Sequence, residues 1–161
     1  MDLNVIAVKD IGFKHHSLAI WTDRTLTKRT AWGSWLSASA PYLSCPYEGI
    51  LILYKHQWKK MNKGKSTIDS KTFQMLCSGV WNMRPQLKQI TKCNFPLELP
   101  SNCIKLLSYE NDLILDCFMG SGTTAVACKQ LNRRFIGCDI SQKYVNIANE
   151  RLEQYNLKEF L

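Results

Sequence analysis

The sequence of 161 residues lacks the features that mark membrane-spanning and secreted proteins. No apolar run approaches the ~20 residues of a membrane-spanning helix, and the first residues do not have the layout of a signal peptide. There is no C-x-x-C pair, and seven cysteines is an odd number, which argues against a disulfide framework or a zinc site. We therefore expect a cytoplasmic protein without a bound metal, whose cysteines are reduced and mostly buried.

Acidic residues are scarce in the first part of the chain. Residues 1–92 contain 14 Lys and Arg against 5 Asp and Glu, a net charge of +9, whereas residues 93–161 contain 7 against 8, a net charge of −1. Because a basic surface attracts polyanions such as nucleic acids, the asymmetry predicts two functions on one chain. The densest group of positive charges, which we call the basic segment, consists of Lys55, Lys59, Lys60, Lys63 and Lys65.

Hydrophobic periodicity predicts alternating helices and strands. Before residue 108 the expected elements are a helix over 1–11 that Gly12 ends, a strand over 13–22, a long loop over 23–48, a buried strand over 49–54, an exposed irregular stretch over 55–92 and an apolar helical pattern over 103–107. After residue 111 the expected elements are a strand over 112–118, a helix over 123–131, a strand over 134–138 and a helix over 141–155. The strand over 112–118 is expected to be buried, and this second group predicts a parallel, right-handed α/β unit.

A glycine-rich turn after the strand over 112–118 carries the strongest functional signal. Gly120 and Gly122 allow the backbone to turn sharply and approach a ligand, and the next helix directs its free N–H groups into the same space. Asp116 precedes the turn, where it suits a cationic amino group, and Asp139 ends the next strand, where it can accept both hydroxyl hydrogens of a ribose. The turn predicts a nucleoside-cofactor site, and its hydroxyl side chains are those of Ser121, Thr123 and Thr124.

The same turn has features of two other nucleotide-binding motifs. Residues 120–125, GSGTTA, fit the G-x-G-x-x-A pattern of NAD-binding proteins, so a NAD-dependent oxidoreductase is an alternative. Against it, only one more strand follows the turn, which is too few for a dinucleotide fold that begins there. A P-loop is excluded because no Gly-Lys-Ser or Gly-Lys-Thr follows.

Several segments resemble the DNA amino-methyltransferases of the β class, which modify adenine N6 or cytosine N4. The turn FMGSGTT (118–124) is similar to their S-adenosylmethionine loop, and RFIGCDI (134–140) to the strand with the ribose-binding acid. FPLELP (95–100) resembles the segment that precedes this loop, and TAWGSWLS (30–37) and residues 48–55 resemble the middle of the catalytic half. The resemblance covers essentially the whole chain and implies a Rossmann-like α/β methyltransferase fold.

The resemblance also implies S-adenosyl-L-methionine as the cofactor. Asp116 would face the methionine amino group and Asp139 the ribose hydroxyls. Ser121, Thr123 and the backbone of the glycine loop would hold the methionine carboxylate and the turn. The further cofactor-binding candidates are the loop residues Phe118, Gly120, Gly122 and Thr124 and the apolar walls Phe95 and Ile140.

The catalytic segment of this family is absent from the sequence, so the catalytic residues are unassigned. In the family a D-P-P-Y or S-P-P-Y tetrapeptide holds the amine of the flipped base, and here only the near matches SAPY (39–42) and SCPY (44–47) occur. The chain resembles the C-terminal part of such an enzyme, incomplete at its N-terminus, and we expect it to be marginally stable alone. Residues 1–54 would be the remainder of the catalytic half, 55–92 a target-recognition insertion and 93–161 the cofactor-binding half.

The function that the resemblance implies is methyl transfer from S-adenosylmethionine to adenine N6 in double-stranded DNA. The enzyme would be prokaryotic or viral, of the kind found in restriction-modification systems. Two alternatives are open: the same reaction on cytosine N4, and a non-catalytic half that binds cofactor or DNA and needs a second chain with the D-P-P-Y segment. Flipping a base out of a duplex requires a basic surface and apolar groups that replace the lost stacking. The DNA-binding candidates are the five lysines of the basic segment together with Trp32 and Trp35.

Overall fold

The computed structural model describes residues 8–22, 47–86, 90–91 and 94–158, without the side chains of 156–158. Most of the predicted first helix and of the predicted long loop lies outside these ranges. The chain divides into two compact units, the first consisting of Met1–Met61 and Met75–Arg84 and the second of Asn62–Gln74 and Pro85–Leu161. Within the described ranges, no helix is both long and apolar enough to cross a membrane.

The first unit contains a three-stranded sheet. Its strands are β1 (Lys14–Thr22), β2 (Tyr47–Tyr54) and β3 (Val80–Asn82), in the order β2-β1-β3. β1 pairs antiparallel with β2 and parallel with β3. The strand predicted over 13–22 is confirmed, and the strand predicted over 49–54 begins two residues earlier. The prediction that this second strand is buried was wrong, because β2 lies at the edge of the described sheet and none of its residues is fully buried.

The stretch predicted to be exposed and irregular contains a helix and a strand in its second half. Helix α1 (Ser70–Cys77) begins after Asp69, whose carboxylate accepts hydrogen bonds from the amide and the hydroxyl of Thr72, at 2.9 and 2.5 Å. These bonds, that of the hydroxyl first, lower the pKa of Asp69. The prediction of an irregular stretch was therefore wrong for the residues of α1 and β3. β3 is three residues long, which is too short for periodicity to indicate a strand. Residues 55–69 contain no helix or strand and are mostly exposed.

Two tryptophans and a leucine form the centre of the first unit's core. Leu76, Trp81 and Trp21 are 2%, 3% and 6% exposed. The indole N–H of Trp81 donates to the Leu76 carbonyl at 2.9 Å, and that of Trp21 donates to the Met83 carbonyl at 3.1 Å. Because a buried polar group needs a hydrogen-bond partner, these two bonds allow both indoles to be buried. The Trp21 bond connects β1 with the residue after β3, and the Trp81 bond connects β3 with α1.

The second unit contains the α/β arrangement that the sequence predicted. Its elements are α2 (Glu98–Leu107), β4 (Leu113–Asp116), α3 (Thr123–Gln130), β5 (Arg134–Gly137) and α4 (Gln142–Lys158). β4 and β5 are parallel, and their register pairs Asp116 with Gly137. The predicted order of strand, turn, helix, parallel strand and helix is therefore confirmed. The core of the unit consists of Ile104, Ala127 and Cys128, with Ile114 and Phe135 among the residues packed against them.

One face of the two-stranded sheet is exposed. Leu113, Leu115 and Ile136 are 51%, 62% and 53% exposed, whereas Ile114 and Phe135 on the opposite face pack against the core. The prediction of a buried strand over 112–118 was therefore wrong for one face of β4. An apolar run does not reveal whether neighbouring elements cover both faces of a sheet. Among the described strands, β4 pairs with β5 alone.

The cysteines are less buried than expected. The five described cysteines are free thiols, of which Cys128 is buried, Cys103 is partly buried, and Cys77, Cys117 and Cys138 are exposed. Burial raises the pKa of the Cys103 and Cys128 thiols to about 11. The expectation of mostly buried cysteines was wrong for the described part, because the three exposed ones lie at or just beyond the ends of α1, β4 and β5.

Gly122 is the point at which α4 approaches the turn before α3. Its φ is +77°, and a Cβ atom there would lie 2.7 Å from the Cβ of Ala148 in α4. Gly12 has a similar φ of +80°, but no described atom lies within 4 Å of its Cβ position. The two glycines therefore separate the effect of backbone strain from that of close packing.

We predict that Gly122→Ala lowers the free energy of unfolding by about 2–4 kcal/mol, because it adds an overpacked contact to backbone strain. Gly12→Ala should cost about 1 kcal/mol, from backbone strain alone. Urea unfolding of both variants and the wild type measures the difference. Equal losses of unfolding free energy for the two variants would mean that the close approach of Ala148 to Gly122 adds no destabilisation.

Candidate cofactor site

The glycine turn lies between the carboxyl end of β4 and the first residue of α3. Gly120 and Gly122 both have positive φ angles, of +51° and +77°, and the Gly122 N–H donates to the Met119 carbonyl at 2.8 Å. Gly122 immediately precedes α3, and no described side chain caps this helix end. The first N–H groups of α3 are therefore available to a ligand.

Asp116, the last residue of β4, is held by two hydrogen bonds. Its Oδ1 accepts from the Phe118 N–H at 3.0 Å, and its Oδ2 accepts from the Thr124 hydroxyl at 2.6 Å. Because Thr124 is in the first turn of α3, the second bond joins the strand to the helix across the glycine turn. A carboxylate has about four acceptor positions, so further positions remain for a cationic group.

Asp139 follows β5 and connects it to the glycine turn. Its Oδ2 accepts from the Gly120 N–H at 3.0 Å, and its Oδ1 accepts from the Ser141 N–H at 2.8 Å. The structure thus brings this acid and the turn together, although 19 residues separate Gly120 from Asp139. Each carboxylate oxygen keeps a second acceptor position, so Asp139 can still accept two hydroxyl hydrogens.

Arg151 in α4 also contacts the turn, although it was not among the predicted site residues. Its Nη1 donates to the carbonyl and hydroxyl oxygens of Ser121, at 2.6 and 2.9 Å, and to the Thr123 hydroxyl oxygen at 3.3 Å. Burial lowers the pKa of Arg151. Ser121 is 4% exposed, so its hydroxyl contacts Arg151 rather than solvent. The only signal in the sequence is the spacing of three residues from Ala148, which puts both residues on one face of α4.

The apolar candidates differ in exposure. Phe118 and Ile140 are 90% and 107% exposed, whereas Phe95 is partly buried. The described residues therefore give the predicted site its polar groups but leave the loop residue Phe118 and one of the two apolar walls, Ile140, exposed. Thr91, which was not among the predicted site residues, also lies beside the turn. A Cβ atom on Gly120 would be 3.6 Å from the Cγ2 of Thr91.

The lysines of the basic segment are all exposed and belong to both units. Lys65 forms an ion pair with Glu110 at 3.1 Å, which partly neutralises its charge. The Nζ of Lys55 lies 5.8 Å from the centroid of the Phe13 ring. Trp32 and Trp35, the two tryptophan candidates for DNA binding, lie outside the described residues. The first unit contains Lys55, Lys59 and Lys60, and the second contains Lys63 and Lys65.

An aromatic cluster lies beside the basic segment in the first unit. The rings of His16 and Trp58 are stacked, with centroids 3.5 Å apart and planes 14° from parallel. Tyr54 contacts Trp58 edge-on at a centroid distance of 6.0 Å, and the Lys14 Nζ lies 5.9 Å from the Tyr54 centroid. Trp58 is 44% exposed, so this cluster combines positive charge with accessible aromatic surface.

Known DNA methylases share this sequence pattern. A family model of N6 and N4 methyltransferases, described as DNA methylase, matches residues 1–150. The chain belongs to this family. The chain is 57% identical over 139 residues to the type II methyltransferase M2.DpnII of Streptococcus pneumoniae, and this match covers 73% of this chain and 48% of that protein. It is 32% identical over 152 residues to the type II methyltransferase M.BglI of Bacillus subtilis, and this match covers 92% of this chain and 42% of that protein.

A solved structure shares the fold of this chain. It is a putative DNA modification methylase from Thermus thermophilus, complexed with S-adenosyl-L-methionine, with a TM-score of 0.74 and 24% identity. The match covers 92% of this chain and 57% of that chain. The predicted family and α/β methyltransferase fold are confirmed, and family membership excludes the NAD-dependent alternative. The chain spans less than half the length of the two curated relatives.

We predict that Thr124→Val lowers the free energy of unfolding by about 1–2 kcal/mol, because it removes a hydrogen bond to the charged Asp116. Thr124→Ser keeps the hydroxyl and should lose less stability than the valine variant. Urea unfolding compares the three proteins. A valine variant as stable as the wild type would mean that the bond across the glycine turn does not stabilise the fold.

Proposed function

We propose that this DNA methylase chain binds S-adenosyl-L-methionine at the glycine turn. The observation that carries the proposal is the pair of carboxylates at the ends of β4 and β5, each held by backbone N–H groups and each with acceptor positions left over. Asp116 would bind the methionine amino group and Asp139 the ribose hydroxyls. The Thermus thermophilus methylase, whose fold is similar, was solved with this cofactor.

The contacts of the loop refine the roles of its hydroxyl side chains. The hydroxyl of Ser121 accepts from Arg151, and that of Thr124 donates to Asp116. The methionine carboxylate would therefore bind to backbone N–H groups of the turn and of the first turn of α3, where the helix dipole favours a negative charge. Gly120 and Gly122 would allow that approach because both adopt the positive φ angles that turn the backbone there.

The proposed reaction is methyl transfer to adenine N6 in double-stranded DNA. When bound, the cofactor supplies a methyl group on a sulfonium, which is already activated for attack by an amine. The residues of this chain would orient that methyl group by holding the amino group and the ribose of the donor. Cytosine N4 is the second candidate acceptor, because the family includes both reactions. Mass spectrometry of nucleosides from methylated DNA separates the two products.

We propose that a second chain, carrying the base-holding D-P-P-Y segment of the family, contacts the second unit beside the glycine turn. Two features of the second unit support a further contact: the exposed face of β4 and β5, and the uncovered Phe118 and Ile140 beside the glycine turn. An exposed apolar face next to a binding site is a common feature of protein interfaces.

The first unit would contact the DNA backbone. The aromatic cluster and the adjoining lysines combine positive charge with accessible rings, which is the chemistry that neutralises phosphates and stacks on unpaired bases. Lys59 is the candidate in this unit, and Lys63 is a separate candidate in the second unit, where Lys65 already pairs with Glu110. Trp32 and Trp35 remain candidates for contacts with the flipped base.

We predict that the purified chain binds S-adenosylhomocysteine with a micromolar dissociation constant, measured by calorimetric titration. Asp139→Ala should abolish binding, because it removes the ribose contact and the bond to the Gly120 N–H. Asp139→Asn, which keeps an acceptor oxygen, and Glu153→Ala, on the exposed side of α4, serve as controls. A folded wild-type chain that fails to bind would contradict the proposed cofactor site.

We predict that Lys59→Ala and Lys63→Ala each reduce the slope of log binding constant against log salt concentration by about 0.9, the value for one lost phosphate contact. The measurement is fluorescence anisotropy with a labelled DNA duplex at several salt concentrations. Lys129→Ala removes an exposed charge from the near-neutral second part of the chain and should leave the slope unchanged. The same decrease for all three variants would indicate general electrostatic attraction rather than contact by the basic segment.

A further inference from the structure

The glycine turn is held from two directions by groups of opposite charge. The Asp139 carboxylate accepts from the Gly120 N–H, and the Arg151 guanidinium donates to the carbonyl and hydroxyl of Ser121 and to the hydroxyl of Thr123. Ser121 and Thr123 are the residues on either side of Gly122, which has a φ of +77°. Arg151 therefore spans the position at which the backbone changes from the turn to α3.

The same face of α4 also determines how closely the helix approaches the turn. Ala148 is one helical turn before Arg151, and its Cβ would lie 2.7 Å from a Cβ atom on Gly122. The small side chain of Ala148 lets α4 approach the turn. The long side chain of Arg151 then extends past this contact to the oxygens on both sides of Gly122. A guanidinium suits this geometry because its N–H groups are fixed in a planar fork.

We propose that Arg151 is a positioning residue for cofactor binding, which holds the glycine turn in its ligand-ready conformation. This inference rests on the proposed cofactor site and names a residue that acts on that site without touching the ligand. Binding to a turn that is already ordered avoids the cost of ordering it, so loss of the guanidinium weakens binding even where the chain stays folded.

Arg133 provides a matched control in the same unit. It is 6% exposed, and its guanidinium donates to the Ser108 hydroxyl and carbonyl and to the Leu131 carbonyl, at 3.0, 2.6 and 2.5 Å. It therefore makes the same kind of contacts as Arg151, but at the C-terminal end of α3, away from the glycine turn. A substitution at Arg133 removes a buried arginine with its hydrogen bonds and leaves the turn intact.

The test compares Arg151→Ala, Arg151→Lys and Arg133→Ala by calorimetric titration with S-adenosylhomocysteine, at a temperature where circular dichroism finds each variant folded. We expect Arg151→Ala to raise the dissociation constant about ten-fold. Arg151→Lys should recover part of the affinity, because an ammonium can bond to one or two of the three oxygens. Arg133→Ala should lower the melting temperature and leave the dissociation constant within about two-fold of the wild type.

Hydrogen exchange of the amides in residues 120–124 provides a readout that does not depend on cofactor binding. Arg151→Ala should speed exchange in this segment, and Arg133→Ala should not. Equal dissociation constants for the wild type and Arg151→Ala, or equal weakening by both alanine variants, would overturn the proposal. If the wild type does not bind the ligand, the proposed cofactor site fails, and the exchange rates alone then decide whether Arg151 holds the turn.

Discussion

The close contact between Gly122 and Ala148 is the constraint on which the rest of the candidate site depends. It requires a residue without Cβ in a left-handed conformation, and only glycine meets both requirements easily. With that contact made, α4 lies against the start of α3, and Arg151 reaches Ser121 and Thr123. The helix that completes the α/β unit therefore also fixes the shape of the turn that would meet a ligand.

The two acids of the site are part of the same framework. Asp116 bonds to Thr124 across the turn, and Asp139 bonds to the Gly120 N–H from the neighbouring strand. Both carboxylates thus stabilise the turn through their own hydrogen bonds and keep acceptor positions to which a ligand could donate. Because these bonds are charge-assisted, they hold the backbone more firmly than neutral hydrogen bonds would. The residues that would recognise the cofactor are the residues that shape its site.

The sequence predicted the second unit well because its signals are local. An apolar strand, two glycines, a helix and a second strand followed by an acid lie within thirty residues, and parallel pairing follows from that order. It missed β3, whose three residues become a strand only by pairing with β1, more than fifty residues earlier. It also overestimated the burial of β4, since apolar composition does not identify the neighbours that cover a strand. Arg151 was missed because its contacts are 28 and 30 residues away in the chain.

On the proposed function, the exposed groups around the turn would couple cofactor binding to a contact that covers them. The polar groups of the candidate site all belong to the second unit, whereas Phe118, Ile140 and one face of β4 and β5 are exposed among the described residues. A second chain that covers these apolar groups would also cover a ligand bound beside them. By linkage, a ligand that binds the covered form more tightly must strengthen the association of the two chains by the same factor. On the proposed function, the cofactor would therefore help to assemble the enzyme as well as serve its reaction.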